Sequence, residues 1–594
     1  MPSLETRWAR AVQCRALGAL CLLGLSAALS ACSSSPDYGD DKNALRGVRT
    51  VSFDKNGGDT EAVPESMTLR PPATTVERLP EPPTRAGRTF LGWNTEKDGS
   101  GSPFTEQTPV TADILLIVYA RWEAPSLPAP LLGIRLSPGA ATLTPMPGER
   151  SVTVTVAVDG FRNEADASQV KLGIGLADVE GLSLKNVVPS HTPNSKTVHF
   201  TVEYDFEKAF DKTPVLLSLG LENIPQGYEY VGGPQTLRVD IFDGLEKSRP
   251  IPVHGGNIRV FNDYADTNEG LKLHYQLVEN VELTPPEAGK NNWTAIGKSA
   301  APAQFVGSFD GGGHTISNLT IRAPDNTAQG DHQGMFGYIS PGAELKDLGL
   351  EGVNVTGRDC VGALVGMNWG TVHKSYATGS VRGADSTGGL VGWNNGAVHN
   401  SYATGSVNGR FWVGGLVGFN RDGSVHNNYA TGSVIGTDYV GGLLGGIWGL
   451  GGTVRNSYAT GSVKGDAAIG GLVGYNNGAV RNSVALSPSV IAIAIDTNIG
   501  RVVGRNHAAL SGNHARNNMK LELGEAPYEP TPDTAWTDKN DGAGTSAFNT
   551  RDFWTKTLSS WGFSEDGAWE WQEGFLPLLR GVGGEQEPRV QEVP

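Results

Sequence analysis

Three histidines recur at nearly constant spacing and form the first pattern in this chain that could do chemistry. His373, His399 and His426 are 26 and 27 residues apart, and side chains at such a spacing stack when the coils of a repeat protein share that period. A histidine stack could bind a metal ion or respond to pH. The later copies of the position are Arg455 and Arg481, which favours an ordinary solvent-facing position. We therefore predict no metal site and no cofactor.

Carboxylates are the second kind of candidate, because paired aspartates or glutamates in a groove can cleave glycosidic bonds. Asp310 and His314 lie in "FDGGGH", where we expect them to fix a turn. The other aspartates considered fall at positions that we expect to be irregular loops: Asp385, Asp422, Asp438 and Asp466. A carbohydrate-active enzyme, lyase or hydrolase, stays an alternative. The sequence contains no phosphate-binding glycine loop, nucleophile elbow or CxxC pair.

The N-terminus has the order of a secretory leader. Three arginines (Arg7, Arg10 and Arg15) precede an apolar stretch at 16–29 and the box "LSAC" at 29–32, and the stretch is too short to be a membrane span. The box resembles the bacterial lipoprotein signal, in which the cysteine is lipidated. The resemblance implies a signal peptide at 1–31, lipid on Cys32 as the membrane partner, a flexible linker at 32–47 and export to the outer membrane. An ordinary secretion signal is the alternative.

Composition limits the partners and the source of stability. The formal charge is −15 with 80 glycines and 4 cysteines, and an acidic chain argues against nucleic acid as a partner. Two cysteines leave with the leader and Cys32 carries lipid, so Cys360 alone remains. No intramolecular disulfide is then possible, and stability must come from burial and hydrogen bonding.

Residues 48–123 read as short strands separated by turn dipeptides. The words "TVSFDKNGG", "LPEPPTRAGRTFLGWNT" and "VTADILLIVYARW" closely resemble the Listeria–Bacteroides repeat, also called the internalin B-repeat. The resemblance implies a small β-grasp-like module that acts as a spacer or interaction module in surface proteins. We expect Trp93 and Trp122 to be core residues of this module.

Residues 128–250 show alternating apolar and polar positions, as in "RSVTVTVAVDGF" and "KTVHFTVEYDF". Runs of this length separated by Gly, Pro and Asn predict an immunoglobulin-like β-sandwich. The segment has no cluster of titratable residues, which favours a spacer domain.

Residues 251–520 carry a repeat with a nearly fixed period. The glycine that closes each Gly-Leu-x-Gly word or its variant stands at Gly366, Gly392, Gly418, Gly445 and Gly474, at intervals of 26, 26, 27 and 29 residues. Such a period, made of strand and turn residues, is a solenoid signature. The words closely resemble the GLUG motif, and "GSFDGGGHTISNLTI" resembles the start of such arrays. We predict a β-helix, so the whole chain is predicted to be all-β.

The repeated "SYATGSV" alternates small and large side chains. Ser401, Ala403 and Val407 share one face, which we place inside the β-helix with Leu390 and Val398 as larger filling. The other face forms two exterior ladders, which we predict to be exposed and to bind a partner or else to stabilise neighbouring coils. The ladder residues are Tyr376, Tyr402, Tyr429 and Tyr458, followed by Thr378, Thr404, Thr431 and Thr460. We expect the "NNG" and "NWG" triplets to turn with positive φ.

The C-terminal part is predicted to close the stack. Residues 521–582 include an aromatic-rich segment that resembles the end of GLUG arrays, and we predict a loop and a cap. Its tryptophans are expected to be cap core rather than a sugar-binding cluster: Trp554, Trp561, Trp569 and Trp571. Residues 583–594 are expected to be disordered.

These features favour a noncatalytic lipid-anchored surface protein. GLUG arrays also occur in zinc peptidases that cleave immunoglobulin A, but none of the 11 histidines is followed by glutamate, so a His-Glu-x-x-His motif is absent. Extended solenoid faces suit long ligands, and the expected partner is a host or matrix protein or a glycan. A purely structural envelope spacer is a further alternative.

Overall fold

The computed structural model describes residues 47–586 apart from 112–114, 124–130, 138, 176–178, 209–213, 232, 300–301, 496, 525 and 528–541. The predicted leader, Cys32, most of the linker and residues 587–594 lie outside the described residues. The protein is nearly all β and contains a β-solenoid of about 7 turns over residues 336–545, which confirms the predicted fold class. The chain divides into two compact units, Met1–Pro128 and Ala129–Pro594.

The first unit is a five-stranded sheet in the order β2-β1-β5-β3-β4. Its two neighbouring strands β1 and β5 are parallel, as in a β-grasp sheet, and the remaining pairs are antiparallel. Phe53, Trp93 and Phe104 form its core, and Trp122 is partly buried against them. The strands are β1 (Arg49–Asp54), β2 (Ser66–Leu69), β3 (Phe90–Asn94), β4 (Pro103–Phe104) and β5 (Leu115–Trp122).

The second unit begins with a β-sandwich, whose two sheets have the orders β10-β11-β8-β6-β13 and β7-β14-β12-β9. Alternation drives this packing because Val154, Val156 and Phe200 face the shared core while their neighbours face solvent. Helix α1 (Glu164–Gln169) starts at Asn163, whose side chain accepts a hydrogen bond from the Asp166 N–H. The strands are β6 (Leu131–Ser137), β7 (Ala140–Leu143), β8 (Ser151–Asp159), β9 (Lys171–Gly175), β10 (Leu182–Thr192), β11 (Ser195–Tyr204), β12 (Val215–Glu222), β13 (Glu229–Tyr230) and β14 (Gln235–Ile241).

Helix α2 (Ile258–Ala265) lies at the entry to the solenoid. Its apolar face covers the first coils because the Phe261 ring lies 4.9 Å from Tyr275 and 5.3 Å from Phe309. The sandwich is tied to this end through the Asn257 amide, which donates to Glu149 over 2.9 Å. Short 3₁₀ turns follow at Gly270–Lys272 and Ala328–Gly330.

The described residues of the solenoid form three sheets, here called the long, second and third sheets, in which equivalent strands of successive coils pair in parallel and in register. Ala526–Pro527 is an exception, because it pairs antiparallel with Lys520–Leu523. The long sheet contains Ile251–Val253, His274–Leu277, Val281–Glu282, Ser308–Asp310, Thr315–Ser317, Thr320–Arg322, Glu344–Lys346, Gly349–Thr356, Thr371–His373, Tyr376–Arg382, Ala397–Ala403, Ser406–Asn408, Ser424–Ala430, Val434–Ile435, Thr453–Arg455, Tyr458–Ala459, Val463–Gly465, Ala479–Arg481, Val484–Ala485, Ser489–Ala492, Ala509–Ser511, His514–Arg516, Lys520–Leu523, Ala526–Pro527 and Ala543–Thr545. The second sheet contains Phe336–Ile339, Val365–Asn368, Val391–Asn394, Val417–Asn420, Leu444–Ile447, Val473–Asn476 and Val503–Asn506. The third sheet contains Asp359–Val361, Asp385–Gly388, Phe411–Gly414, Asp438–Gly441, Ala467–Gly470 and Ile499–Gly500.

The interior of the solenoid follows the sequence pattern. Leu390, Val398, Ala403 and Val407 lie in one continuous apolar core, as predicted from the alternation. Ser401 is also fully buried. Its N–H donates to Asn428 Oδ1 over 2.9 Å, so this polar position is satisfied by the neighbouring coil.

The chain bends at the predicted triplets, at 369–370 and 395–396, but the predicted positive φ is wrong there. Positive φ occurs instead one residue after each histidine or arginine of the stack, as at Asn400 (φ 51°) and Asn427 (φ 56°), and within the strands of the third sheet, as at Trp412 (φ 55°). In the "NNG" word, Asn394 is used inside, where its amide donates to Asn420 Oδ1 over 2.7 Å. Gly396 is required there by close approach, because a Cβ would lie 2.0 Å from the Gly370 carbonyl oxygen.

The remaining cysteine and the possibility of a membrane-spanning helix were also considered from the sequence. Cys360 is a buried free cysteine, and burial raises the pKa of its thiol to about 12. Among the described residues, no helix has the length and apolar character needed to cross a membrane.

Candidate functional site

The four ladder tyrosines stack as predicted, but the prediction that they are exposed is wrong. Adjacent rings are 4.7 to 5.0 Å apart and within 5° of parallel. Tyr376 is 2% exposed and Tyr402, Tyr429 and Tyr458 are 0% exposed. They point away from the solenoid core, but the C-terminal segment covers them and makes a separate apolar cluster with them.

The covering segment, here called the cap, uses the predicted tryptophans. It comprises a π-helical turn at Phe553–Thr557, a 3₁₀ turn at Ser559–Trp561 and a hairpin of Trp569–Glu570 with Leu578–Leu579. Trp554, Trp561 and Trp569 are fully buried, and Tyr458 lies 5.7 to 6.2 Å from all three rings. The expectation of a cap core is therefore confirmed for these three, while Trp571 is partly buried at the edge.

Hydrogen bonds attach the cap to the ladder. Tyr402 Oη donates to the Gly583 carbonyl over 2.9 Å, Tyr429 Oη contacts Gln586 Oε1 over 3.3 Å, and Tyr458 Oη donates to the Pro577 carbonyl over 2.8 Å. Residues 583–586 are thus part of the cap, and the prediction that disorder begins at 583 is wrong for them. The four tyrosine rings are buried and their hydroxyls are bonded within the described part of the chain, so the tyrosine ladder is not open to a partner.

The threonine ladder lies beside the tyrosines, and each of its members is half-buried: Thr378, Thr404, Thr431 and Thr460. Thr378 accepts a hydrogen bond from the Gly352 N–H over 2.9 Å. The Thr404 and Thr431 N–H groups donate to Ala377 and Ala403 of the preceding coils. A binding role for this ladder stays a prediction.

The predicted histidine stack is present on the long sheet. His373, His399 and His426 have ring centroids 5.0 and 4.9 Å apart and nearly parallel planes. The rings are half-buried rather than freely solvated, and burial lowers the pKa of His399 and of His426 to about 4. No group of three potential ligands in the described part of the chain could hold a metal ion.

A second row of aromatic rings lies on the outside of the second sheet and its corner with the third. We call it the aromatic strip. Its members are Trp393, Trp412, Phe419, Tyr439, Trp448 and Tyr475. The strip differs from the tyrosine ladder in exposure: Trp448 is 49% exposed, and Trp393, Trp412 and Tyr439 are half-buried. Phe419 and Tyr475 are buried beneath this surface. No cap tryptophan contacts it among the described residues.

The strip is continuous because one tryptophan fills a gap left by a glycine. In register, the outward position of successive coils is Trp393, Phe419, Gly446 and Tyr475. The Trp412 ring lies over Gly446, where an added Cβ would be 2.3 Å from its Cζ3 atom. Trp412 is therefore 4.9 Å from Phe419 and 5.6 Å from Tyr475, between ring centroids.

A row of carboxylates borders the strip on the third sheet, contrary to prediction. Asp359, Asp385, Phe411 and Asp438 occupy one register position on successive strands. Asp385 and Asp438 therefore do not lie in irregular loops, although Asp422 does and Asp466 just precedes a strand. Burial raises the pKa of Asp385 and of Asp438 above the ordinary value, and the neighbouring carboxylates add to this effect.

One carboxylate oxygen of Asp385 has no hydrogen-bond donor among the described residues. Its Oδ1 atom is buried and has no hydrogen-bond partner within the part of the chain that the structure describes. The nearby Arg358 is bound to Asp331 through two contacts of 2.6 Å and reaches Asp359 over 3.2 Å. Arg410 lies over the Phe411 ring at 4.9 Å.

Other sequence candidates have structural roles. Asp310 accepts a hydrogen bond from the Gly312 N–H over 2.8 Å and pairs with Lys346 over 3.0 Å, so it fixes the expected turn. His314 Nδ1 lies 3.3 Å from Asn280 Oδ1 at the same turn. The strip itself was missed, although its signal was present: the third residue of "VGWN", "VGFN" and "VGYN" is aromatic in each word.

Comparisons with known proteins identify two segments of the chain. The Listeria–Bacteroides repeat domain matches residues 50–121, and the GLUG motif matches residues 383–408. Both resemblances expected from the sequence are confirmed.

Two curated relatives match short parts of the chain. Halomucin of Haloquadratum walsbyi is 32% identical over 113 residues, which are 18% of this chain and 1% of halomucin. A protein of Evansella cellulosilytica, provisionally described as a Gly-rich membrane protein, is 35% identical over 107 residues, 17% of this chain and 12% of its own length. The chain thus spans a small fraction of both relatives.

Two solved structures show weak likeness. A Bacteroides ovatus protein, provisionally described as an immunoglobulin A1 protease, has a TM-score of 0.39 and 20% identity, covering 57% of this chain and 94% of that one. An IgA1 protease has a TM-score of 0.29 and 13% identity, covering 64% of this chain and 28% of its own. The chain is a repeat-bearing β-solenoid protein that contains a Listeria–Bacteroides repeat domain at residues 50–121 and a GLUG motif at residues 383–408.

Proposed function

We propose that this protein is a noncatalytic, lipid-anchored bacterial surface protein whose solenoid binds an extended partner, either a host or matrix protein or a glycan. The observation that carries the proposal is the aromatic strip, which leaves Trp448 49% exposed beside half-buried Trp393, Trp412 and Tyr439. A contiguous, partly exposed aromatic surface is characteristic of an interaction site. The tyrosine ladder, by contrast, serves the attachment of the cap.

The proposed location rests on the leader and on the relatives. The box "LSAC" places Cys32 directly after an apolar stretch, and a second lipid chain or a further membrane contact would make such anchoring stable. The Evansella relative is described as a membrane protein. If Cys32 carries the lipid, Ser33 directly after it favours export of the protein to the outer membrane.

Binding is tested with the full chain purified in detergent and applied to arrays of matrix proteins and glycans. We expect saturable binding that weakens in Trp448→Ala. The matched control is Ile435→Ala, because Ile435 is 47% exposed on the long sheet, outside the strip. Loss in both variants would indicate nonspecific adhesion, and binding to no array component would favour the spacer alternative.

Anchoring is tested separately in cells of a lipoprotein-producing bacterium. Wild-type chain is expected to incorporate labelled fatty acid and to fractionate with the outer membrane, whereas Cys32→Ser is expected to do neither. Labelling that persists in Cys32→Ser would contradict lipid attachment at this residue. External protease treatment of intact cells then reports on which side of the membrane the chain lies.

The carboxylate row favours a second candidate, a carbohydrate-active enzyme on the same surface. Asp359 and Asp385 are register partners, and a carboxyl group whose pKa is raised beside another carboxylate can serve as a general acid. The enzyme would release reducing ends from a polysaccharide, and Asp385→Asn would abolish that release. Binding without release, under conditions of saturation, supports the noncatalytic proposal.

A further inference from the structure

We infer that the partner of the aromatic strip is an uncharged polysaccharide whose chain lies along the solenoid axis across successive coils. This inference rests on the proposed binding function and specifies the ligand class. The site comprises the strip together with Asp385 and Asp438 on its border.

The first argument is the arrangement of the partly exposed rings. They come from three successive coils: Trp393, then Trp412, then Tyr439 and Trp448. Between ring centroids, Trp412 lies 4.1 Å from Tyr439 and 6.4 Å from Trp448, and the buried Phe419 and Tyr475 pack against Trp412 edge to face. Exposed rings on successive coils suit a ligand that extends along the solenoid axis.

The second argument is the chemistry of the surface. A sugar ring has an apolar face of C–H groups and a rim of hydroxyl groups, so it needs an aromatic face and hydrogen-bonding groups within one ring width. Tyr439 directly follows Asp438, and Trp412 directly follows Phe411, which is the register partner of Asp385 and Asp438. Carboxylates and partly exposed rings therefore occur side by side along this sheet. Asp385 and Asp438 are half-buried, and carboxylates at such positions can accept hydrogen bonds from ligand hydroxyl groups.

The third argument is charge. Asp385, Asp438 and Asp422 lie around the strip, and a Cβ on Gly449, in the loop that follows Trp448, would come within 2.3 Å of Asp422 Oδ1. Arg358 is engaged by Asp331 and Asp359. Arg410 over the Phe411 ring and Arg421 before Asp422 are cations near the strip, and the three carboxylates outnumber these two. Arg505 stands only at the far end of the row, in register with Tyr475. A polyanionic chain would thus meet several carboxylates, which disfavours its binding.

The experiment measures affinity of the full chain in detergent for soluble neutral polysaccharides, namely mixed-linkage β-glucan, galactomannan and xyloglucan. Polygalacturonate and hyaluronan are the acidic probes, and the protein array described above is run in parallel. We expect saturable binding to at least one neutral probe and at least about ten-fold weaker binding to the acidic ones.

The variants locate the site. Trp448→Ala is expected to weaken binding about ten-fold, since stacking on one ring is worth up to about that factor. Asp438→Asn preserves size and is expected to weaken binding about three-fold. Ile435→Ala, matched in exposure, is expected to leave affinity unchanged. Near-UV circular dichroism verifies that each variant remains folded.

The outcomes separate this inference from the proposed function. Binding to the protein array without binding to any neutral polysaccharide overturns the ligand class and leaves the proposed function standing. Binding to neither overturns both. Neutral-polysaccharide binding that Trp448→Ala and Asp438→Asn leave unchanged overturns the site, and tighter binding of the acidic probes overturns the charge argument and with it the inference.

Discussion

The tyrosine ladder and the aromatic strip lie on different sheets of one solenoid and differ in composition and cover. The ladder repeats the same residue in each of four coils, with rings within 5° of parallel, and the cap buries it completely. The strip varies from Trp393 to Phe419, Gly446 and Tyr475 at one register position. Uniform rings make a flat surface on which the chain's own cap can pack, whereas varied rings make a surface with local relief that suits recognition.

The contrast between ladder and strip requires that the cap contribute strongly to stability. Removing a cap tryptophan is therefore expected to give the largest loss of stability among these predictions. Trp561→Ala removes a buried ring 6.2 Å from Tyr458 and a hydrogen bond from Nε1 to the Asn482 carbonyl. We expect a loss of about 3–5 kcal/mol in the free energy of unfolding, measured by guanidinium denaturation. Trp571→Ala, at the partly buried edge of the cap, is the control and should lose less. A Trp561→Ala loss below that of Trp571→Ala would contradict the assignment of the cap core.

The second prediction sharpens the role of Gly446 in the strip. Gly446→Ala places a Cβ 2.3 Å from the Trp412 ring, so the ring must move away from Phe419 and Tyr475. We expect a destabilisation of about 1–3 kcal/mol and a change in near-UV circular dichroism. Gly220→Ala is the control because a Cβ there meets no atom within 4 Å. Equal stability of the two variants would show that Trp412 does not lie over Gly446 in solution.

The third prediction concerns the histidine stack on the long sheet. Burial is the main cause that holds the pKa of His399 and of His426 near 4, below the ordinary 6.5. The charges of His373 and Arg455 add to the shift at His399, where Glu344 opposes it, and those of Arg455 and His399 add to the shift at His426. Because the unfolded chain takes up these protons first, the stability present above pH 6.5 falls as the pH drops toward 4. Solvent screening of the half-buried rings reduces the effect to about 1–2 kcal/mol in total.

The measurement is the free energy of unfolding at pH 7 and at pH 4.5, for the wild type and for the double variant His399→Gln/His426→Gln. The difference between the two proteins isolates the histidines from the carboxylates, which titrate over the same range. We expect the wild type to lose more stability than the variant. Identical losses would mean that the folded stack accepts protons as readily as the unfolded chain.

The smallest effect tests the hydrogen bonds between ladder and cap. Tyr402→Phe removes the bond to the Gly583 carbonyl and should cost about 0.5–1.5 kcal/mol. Tyr376→Phe is the matched variant, because its hydroxyl binds the Glu351 side chain over 2.6 Å rather than the cap. Proteolytic release of the C-terminal segment should therefore accelerate only in Tyr402→Phe. Equal acceleration in both would indicate that ring stacking alone determines cap attachment.

Local alternation was sufficient to predict the strands and the solenoid core. Val398, Ala403 and Val407 face inward, because each strand position repeats once per coil and no single coil can bury its own inner face. Turn geometry was predicted less well. An asparagine side chain can either stabilise a turn or bind the equivalent asparagine of the next coil. Asn394 does the second, because its amide donates to Asn420 of the next coil, and the sequence of one coil does not show this.

The sequence by itself determined the all-β class, the period of the solenoid and the identity of its inward residues, because these depend on side-chain patterns within one or two coils. Only the tertiary structure decided which exterior face stays accessible. The cap approaches Tyr402 from Gly583, 181 residues away, and Trp412 reaches across a coil to Gly446. Cover by distant segments leaves no trace in local periodicity, so of two outward-facing aromatic rows one becomes core and the other stays partly exposed.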